Sequence, residues 1–230
     1  MNILSASVSC MDYFKLQRQI DSIECSDIKF YHYDVVDGRF NNCFVLGETL
    51  LNQMKPHITL PVEVHLAVFE PERYIESFAL AGGDYIAVHY EAMKKPLDVF
   101  NQIKALGKTP ILAYKASTPP GDDFTELASY CPWILKLTVN PGFSGQRLQT
   151  KALEHIYMMH NLLNHANLTT RIQADGNVNK KTIPLLASAG ASIFTGGSSG
   201  LFLPGASIQT NANELLKAAM INKQQTTSDN

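Results

Sequence analysis

Phe30-Tyr31-His32-Tyr33-Asp34-Val35-Val36-Asp37-Gly38 decides how the chain is read. It has the pattern of a β-strand running out into an Asp-Gly turn. Side chains on a strand alternate between faces, so His32 and Asp34 project from the same side. An imidazole beside a carboxylate at the C-terminal end of a strand can hold a divalent metal, move a proton, or both. It can equally be a His–Asp hydrogen bond with no further role, and the stretch alone leaves both readings open. Asp37, placed past the strand, is expected to shape the loop rather than bind metal.

The same kind of apolar run recurs on both sides of this stretch. Strand-like segments fall at Ile3–Val8, Phe30–Val36, Val62–Val68, Tyr85–His89, Pro110–Tyr114, Ile134–Val139, Thr170–Ala174 and Ser192–Thr195. Between them, apolar residues sit at helical spacing, as in Tyr74, Ile75, Phe78 and Ala79 or Leu97, Phe100, Ile103 and Leu106. Pro184 lies inside one helical pattern, which predicts a kinked or late-starting helix. Eight strands alternating with helices imply parallel pairing, and a single closed (β/α)₈ TIM barrel over residues 1–222 fits the count and the length. The competitor is a doubly wound open sheet, but no Gly-x-Gly-x-x-Gly turn follows the first strand. Residues 223–230 read as a polar tail without structure.

Composition narrows the function. The 230 residues are 45% hydrophobic and 17% charged, with a formal net charge of −2, so no basic field favours nucleic acid or an anionic membrane surface. No window reaches the length of a membrane span, and the N-terminus lacks the pattern of a signal peptide. Cys10, Cys25, Cys43 and Cys131 are widely spaced and form no Cys-x-x-Cys pair. Reduced thiols in the cytoplasm are therefore expected.

In a (β/α)₈ barrel the active site lies at the C-terminal ends of the strands, so polar residues there gain weight. His32 and Asp34 end the second strand, His65 lies on the third, and Asp175 ends the seventh. His65 shares its face with Glu63 and Ala67. Two imidazoles and two carboxylates suit one divalent ion such as Zn²⁺, Fe²⁺, Mn²⁺ or Co²⁺. The alternative is four polar residues satisfied by separate neighbours. His89, ending the fourth strand, could line the mouth, supporting a metal donor from behind or touching the substrate, or play a plain structural part. His57, His155, His160 and His165 are expected on the surface.

Three turns on neighbouring strands look suited to an anion. Asn140-Pro141-Gly142-Phe143-Ser144-Gly145-Gln146 follows the sixth strand, Asp175-Gly176-Asn177 the seventh, and Thr195-Gly196-Gly197-Ser198-Ser199-Gly200 the eighth. Glycine lets backbone N–H groups approach an anion closely, and barrels often bind phosphate at the last strands.

Taken in order, these motifs resemble the ribulose-phosphate 3-epimerase family. The matching pieces are Ser7, His32 through Gly38, His65-Leu66-Ala67-Val68 with Pro71, His89-Tyr90-Glu91-Ala92, Val139 through Gln146, Asp175-Gly176 and Gly197-Ser198, spread over residues 3–215. Cys10-Met11-Asp12 and Ser199-Gly200-Leu201-Phe202 are more similar to the allulose-6-phosphate 3-epimerase branch. The resemblance implies a ribulose-phosphate-binding type of barrel that epimerises a ketose phosphate at C3, with D-ribulose 5-phosphate to D-xylulose 5-phosphate as the first reading and D-allulose 6-phosphate as the alternative. It implies one divalent metal on His32, Asp34, His65 and Asp175, with Asp34 and Asp175 as the acid/base pair. Substrate contacts fall to Ser7, His65, Gly142, Phe143, Ser144, Gly145, Gly176, Asn177, Gly197, Ser198 and Ser199. A homo-oligomer is implied as well. Two carboxylates suit this chemistry because inverting a carbon beside a carbonyl removes a proton from one face and returns one to the other. The metal is the Lewis acid for the enediolate formed between those steps.

The chain also departs from the pattern. Family members usually carry methionines where Val36, Ala67 and Leu137 stand. Asn177 and Ser144 are unusual in their turns, and Lys136 within the sixth strand must face the helix layer and snorkel. A decarboxylase or aldolase of related fold would need a Lys in an Asp-x-Lys-x-x-Asp pattern, and Val35-Val36-Asp37 after Asp34 has none. A non-catalytic sugar-phosphate binder is the remaining alternative.

Overall fold

The structure, a computed structural model, describes residues 1–140 and 145–220. Among these residues nine strands, β1 Ile3–Ser7, β2 Phe30–Asp37, β3 Phe44–Val45, β4 Val62–Ala67, β5 Tyr85–His89, β6 Thr109–Tyr114, β7 Trp133–Leu137, β8 Arg171–Asp175 and β9 Ile193–Gly196, form one sheet. All but β3 pair in parallel, in the order β1-β9-β8-β7-β6-β5-β4-β2, and β2 pairs back on β1 to close the ring. The eight expected strands are therefore the eight staves of a closed barrel, and the open-sheet competitor falls. The expected polar tail, 223–230, lies outside the described residues.

Among the described residues eight α-helices cover the barrel, α1 Leu16–Glu24, α2 Glu48–Met54, α3 Ile75–Leu80, α4 Pro96–Ala105, α5 Phe124–Ala128, α6 Thr150–His165, α7 Ile183–Ala189 and α8 Ile208–Ala218. Each turns one apolar stripe inward, as with Ile20 and Ile23 of α1 or Val99, Phe100 and Ile103 of α4. Ser207 caps α8 by accepting a hydrogen bond from Thr210 N at 3.0 Å. Pro184 sits in the first turn of α7, where its missing N–H costs nothing, so that helix starts late as expected. None of the described helices is long and apolar enough to cross a membrane.

Alternation along β2 sorts its side chains. Tyr31, Tyr33 and Val35 pack outward under the helices in the large cluster, while Phe30 joins Ala87, Ile111, Ala113, Trp133, Leu135 and Ile193 inside the barrel. His32, Asp34 and Val36 share the inward face of Phe30. Each fully buried aliphatic or aromatic side chain stabilises the fold by about 1.5–3 kcal/mol before entropy is counted.

Some boundaries differ from the sequence reading. Thr138 and Val139 leave β7 because the chain bends there, and Thr138 Oγ1 donates to Asp175 O at 3.0 Å and Gly176 O at 2.5 Å. Asp37 is the last residue of β2, not past it. Its carboxylate accepts from the backbone N–H groups of Arg39, Phe40 and Phe69, so it does shape the loop. β3 had no counterpart in the sequence pattern. It pairs antiparallel with the end of β2 beyond the rim, Val36 opposite Val45 and Asp37 opposite Phe44.

Candidate active site

The strand register puts Asp34 directly beside His65, and the closed ring brings Asp175 of β8 towards them. One donor atom from each of His32, Asp34, His65 and Asp175 lies within 4.8 Å of all the others. His32 Nε2 is 2.9 Å from Asp34 Oδ1 and 3.5 Å from Asp175 Oδ2, and His65 Nδ1 is 3.0 Å from the same Asp34 Oδ1. A single carboxylate oxygen facing two imidazole nitrogens needs either an N–H proton in each gap or a shared cation between them. Burial opposes ionising these groups, but the charges reinforce one another. Asp34 is held well below the usual carboxylate range by His32 and His65, and His32 well above the usual imidazole range by Asp34 and Asp175. Two nitrogen and two carboxylate donors on rigid strand ends fit a divalent ion of the Zn²⁺, Fe²⁺, Mn²⁺ or Co²⁺ kind.

The surrounding side chains fix these donors in place. His32 Nδ1 donates to Glu63 Oε2 at 2.6 Å, which leaves Nε2 for the centre. Glu63 also accepts from Trp133 Nε1 at 2.7 Å and Gln173 Nε2 at 2.8 Å, and all four side chains are buried. A buried carboxylate with three donors around it is a rigid anchor. The second oxygen of Asp34 accepts from Ser7 Oγ at 3.2 Å and Ser9 Oγ at 2.8 Å. Ser7 thus sits beside the proposed base as well as on the cleft wall.

Above the cluster opens a cleft of about 450 Å³, into which Asp34, His65 and Asp175 project. Ser7, Gly145, Gly176, Asn177, Gly197, Ser198 and Ser199 all line it. Gly142, Phe143 and Ser144 lie outside the described residues. Gly176 has φ +112°, and a Cβ there would strike Val139 and Thr138, so only glycine lets this turn pass so close to its neighbour. Asn177 is itself left-handed at φ 50°, and its side-chain amide donates to Gln146 O, tying the turn after β8 to the loop after β7. Gly197 O accepts from the N–H groups of Gly200, Leu201 and Phe202, which curls 197–202 into a helical turn with Ser198 and Ser199 at its start. Opposite, β3 carries Phe44 and Val45 into the wall, followed by Leu46.

Leu137 lines the cleft, whereas Val36 and Ala67 are neighbours across the register and are buried. His89 does not line the mouth; it is buried behind His65. His155 is not a surface residue. It is 8% exposed and its Nδ1 lies 3.2 Å from Ala116 O, because the inner face of α6 seats it against the loop after β6. Lys136 faces the helix layer as expected but does not snorkel. It is fully buried and donates to the carbonyls of Lys115 at 2.5 Å and Thr118 at 2.6 Å.

Sequence reading missed Ser9, Trp133 and Gln173, and gave Glu63 no role. Parity was the available signal for Glu63, two residues before His65 on an inward face. Trp133 and Gln173 reach Glu63 across the barrel, and no spacing records that.

A model of the ribulose-phosphate 3-epimerase family matches residues 3–202. Ribulose-phosphate 3-epimerase of Methanocaldococcus jannaschii is 32% identical over 195 residues, 85% of this chain and 82% of the relative. The Bacillus subtilis enzyme of the same name is 32% identical over 196 residues, 85% of this chain and 90% of the relative. Among solved structures, a 3-hexulose-6-phosphate synthase superposes with a TM-score of 0.67 over 95% of this chain and 99% of its own, at 14% identity, a likeness of fold.

Proposed function

The chain belongs to the ribulose-phosphate 3-epimerase family, and from that premise we propose that it interconverts D-ribulose 5-phosphate and D-xylulose 5-phosphate by passing the C3 proton between Asp34 and Asp175. It is an isomerase acting on a sugar phosphate. The observation that carries the residue assignment is the meeting of two carboxylates and two imidazoles within 4.8 Å at the base of one cleft.

Asp34 comes from β2 and Asp175 from β8, with β1 and β9 between them in the ring, so the carboxylates reach the cleft from different quarters. In one direction an ionised aspartate takes the proton from C3, the electron pair moves towards the carbonyl, and the other aspartate returns a proton to the opposite face. In the reverse direction the roles exchange. Asp34 is ionised, as a base must be, and Ser7 and Ser9 hold its second oxygen in place. A divalent cation on His32 Nε2, Asp34, His65 Nδ1 and Asp175 would supply Lewis-acid stabilisation of the negative charge that develops on the substrate oxygens. Gly176, Asn177 and Gly197 to Ser199, joined by Gly145, are assigned to the phosphate, where backbone N–H groups hold the remote end and orient C3.

We place the protein in the cytoplasm as a homo-oligomer, with residues 1–222 as one barrel domain; all four cysteines are free. The allulose-6-phosphate branch rests on Cys10-Met11-Asp12 and Ser199-Gly200-Leu201-Phe202 alone, and no relative above carries that name. The test is deuterium exchange from solvent into C3 with Fe²⁺, Mn²⁺ or Zn²⁺ supplied. Exchange into ribulose 5-phosphate is expected. Exchange into allulose 6-phosphate alone would move the substrate assignment to that branch, and exchange into neither would overturn the epimerase reading for both sugars.

A further inference from the structure

We propose that His89 and Glu91 are positioning residues for the metal centre, forming an outer arm that sets which nitrogen of His65 carries a proton and leaves Nδ1 to bind the cation. This rests on the metal reading given above for His65.

The carboxylate of Glu91 fixes the outer end of the arm. Glu91 Oε2 lies 3.0 Å from His89 Nδ1, and its other oxygen accepts from Lys115 N at 2.8 Å. Burial raises Glu91, but the bond from His89 outweighs it, and the carboxyl sits at about 2. Glu91 is therefore ionised and can only accept. His89 Nδ1 must donate to it. His89 is fully buried with one anionic partner, on Nδ1, and a second imidazole rather than a second carboxylate faces its other nitrogen, so the ring carries only that one proton. Its Nε2 then bears a lone pair. His65 Nε2 stands 2.8 Å from that lone pair and must be the donor. The remaining His65 nitrogen, Nδ1, points at Asp34 Oδ1, 3.0 Å away. Every polar hydrogen along the arm is assigned, and none can move without breaking a bond further out.

The packing holds the arm in this state. His89 is fully buried, its ring 5.0 Å from that of His65 on one side and 4.6 Å from Phe40 on the other. Lys115, whose N–H fixes Glu91, lays its Nζ 3.8 Å over the Phe40 ring. Metal-bound histidines ordinarily pass their second N–H straight to a carboxylate or carbonyl, and such partners set tautomer and basicity. His32 does this through Glu63. His65 does it through a second imidazole.

The experiment compares the parent with Glu91→Gln, His89→Leu and His89→Gln. It reads the Zn²⁺ dissociation constant by chelator competition, and the His89 tautomer from long-range ¹H–¹⁵N spectra of the Zn²⁺-loaded protein. Glu91→Gln is nearly isosteric but can donate to His89 Nδ1, which would turn both rings over. Zn²⁺ binding is expected to weaken about 10- to 100-fold in Glu91→Gln and His89→Leu. His89→Gln, which keeps an acceptor for His65, should recover part of the loss. His89 should read as the Nδ1–H tautomer in the parent. Dissociation constants within about twofold of the parent in both Glu91→Gln and His89→Gln, or an Nε2–H tautomer in the parent, would overturn the arm; those two variants decide the matter if His89→Leu does not fold. A parent that binds no Zn²⁺ would remove the metal reading and the arm together. A parent that binds Zn²⁺ through an intact arm but exchanges no C3 proton would remove only the epimerase reading.

Discussion

At the N-terminal end of the strands the barrel interior is closed by Phe30, Tyr85 and Trp133, whose ring centroids lie 4.5 to 6.4 Å apart. At the C-terminal end β2, β4 and β8 present His32, Asp34, His65 and Asp175. Phe30, His32 and Asp34 occupy one face of one strand, so the change from packing to chemistry takes place within four residues. Trp133 belongs to both ends. Its ring packs in the aromatic layer while its N–H holds Glu63, which in turn holds His32. The polar groups at the mouth are held in place because they stand on a packed aromatic layer.

Four substitutions test this division, in order of expected effect. Asp175→Asn touches the mouth alone. We expect kcat to fall about 10²- to 10⁴-fold with little change in melting temperature; full activity in this variant would remove Asp175 from proton transfer. Phe30→Ala touches the lower layer alone. It should cost about 3–5 kcal/mol in denaturant unfolding while kcat stays within about twofold in the folded population. A large kcat loss there would show that the two ends are not separable. Trp133→Phe sits on the border: it keeps a ring but leaves Glu63 Oε1 without its indole donor. A loss of about 1–3 kcal/mol is expected, together with weaker Zn²⁺ binding, and a stability loss with unchanged binding would confine Trp133 to the lower layer.

The last test concerns the outward face and is read as a slope with pH. Burial pushes the Lys136 amine down to about 7, partly opposed by Glu91, and a neutral amine has two N–H groups for its two carbonyl partners. An unfolded lysine titrates near about 10.4. Between these values the unfolded chain binds the extra proton, so this group makes stability rise with pH by at most about 1.4 kcal/mol per pH unit. Parent minus Lys136→Met, measured by urea midpoints from pH 7 to 10, should show that rise; a flat difference would mean that Lys136 is charged in the fold.

The barrel was legible because periodicity is local. Each of the eight parallel strands coincides with an apolar run to within a residue or two, and helix patterns fill the intervals. The meeting of His32, Asp34, His65 and Asp175 was legible because barrel geometry gives meaning to polar residues at strand ends. What surrounds them was not. Glu63, Trp133 and Gln173 sit on three strands and meet only through closure of the ring. Lys136 and His155 look like surface residues by type, yet backbone carbonyls of the loop after β6 give them buried partners. β3 is a two-residue strand, too short for any period to register.

The pairing of β1 between β9 and β2 has a consequence for the order in which the protein is made. Ile3 pairs with Ile193, and the side chain of Asn2 donates to Ala219 O at 2.8 Å, so the first strand is locked by the last strand and helix. On the ribosome β1 and β2 can pair early, but one edge of β1 stays open until β9 emerges. Until then the nascent chain is an unfinished parallel sheet with an unpaired edge, the form most prone to join another chain. Messages that stop before Ile193 should therefore yield aggregates rather than partial barrels, whereas a permuted chain that joins β9 directly to β1 would close its seam during synthesis.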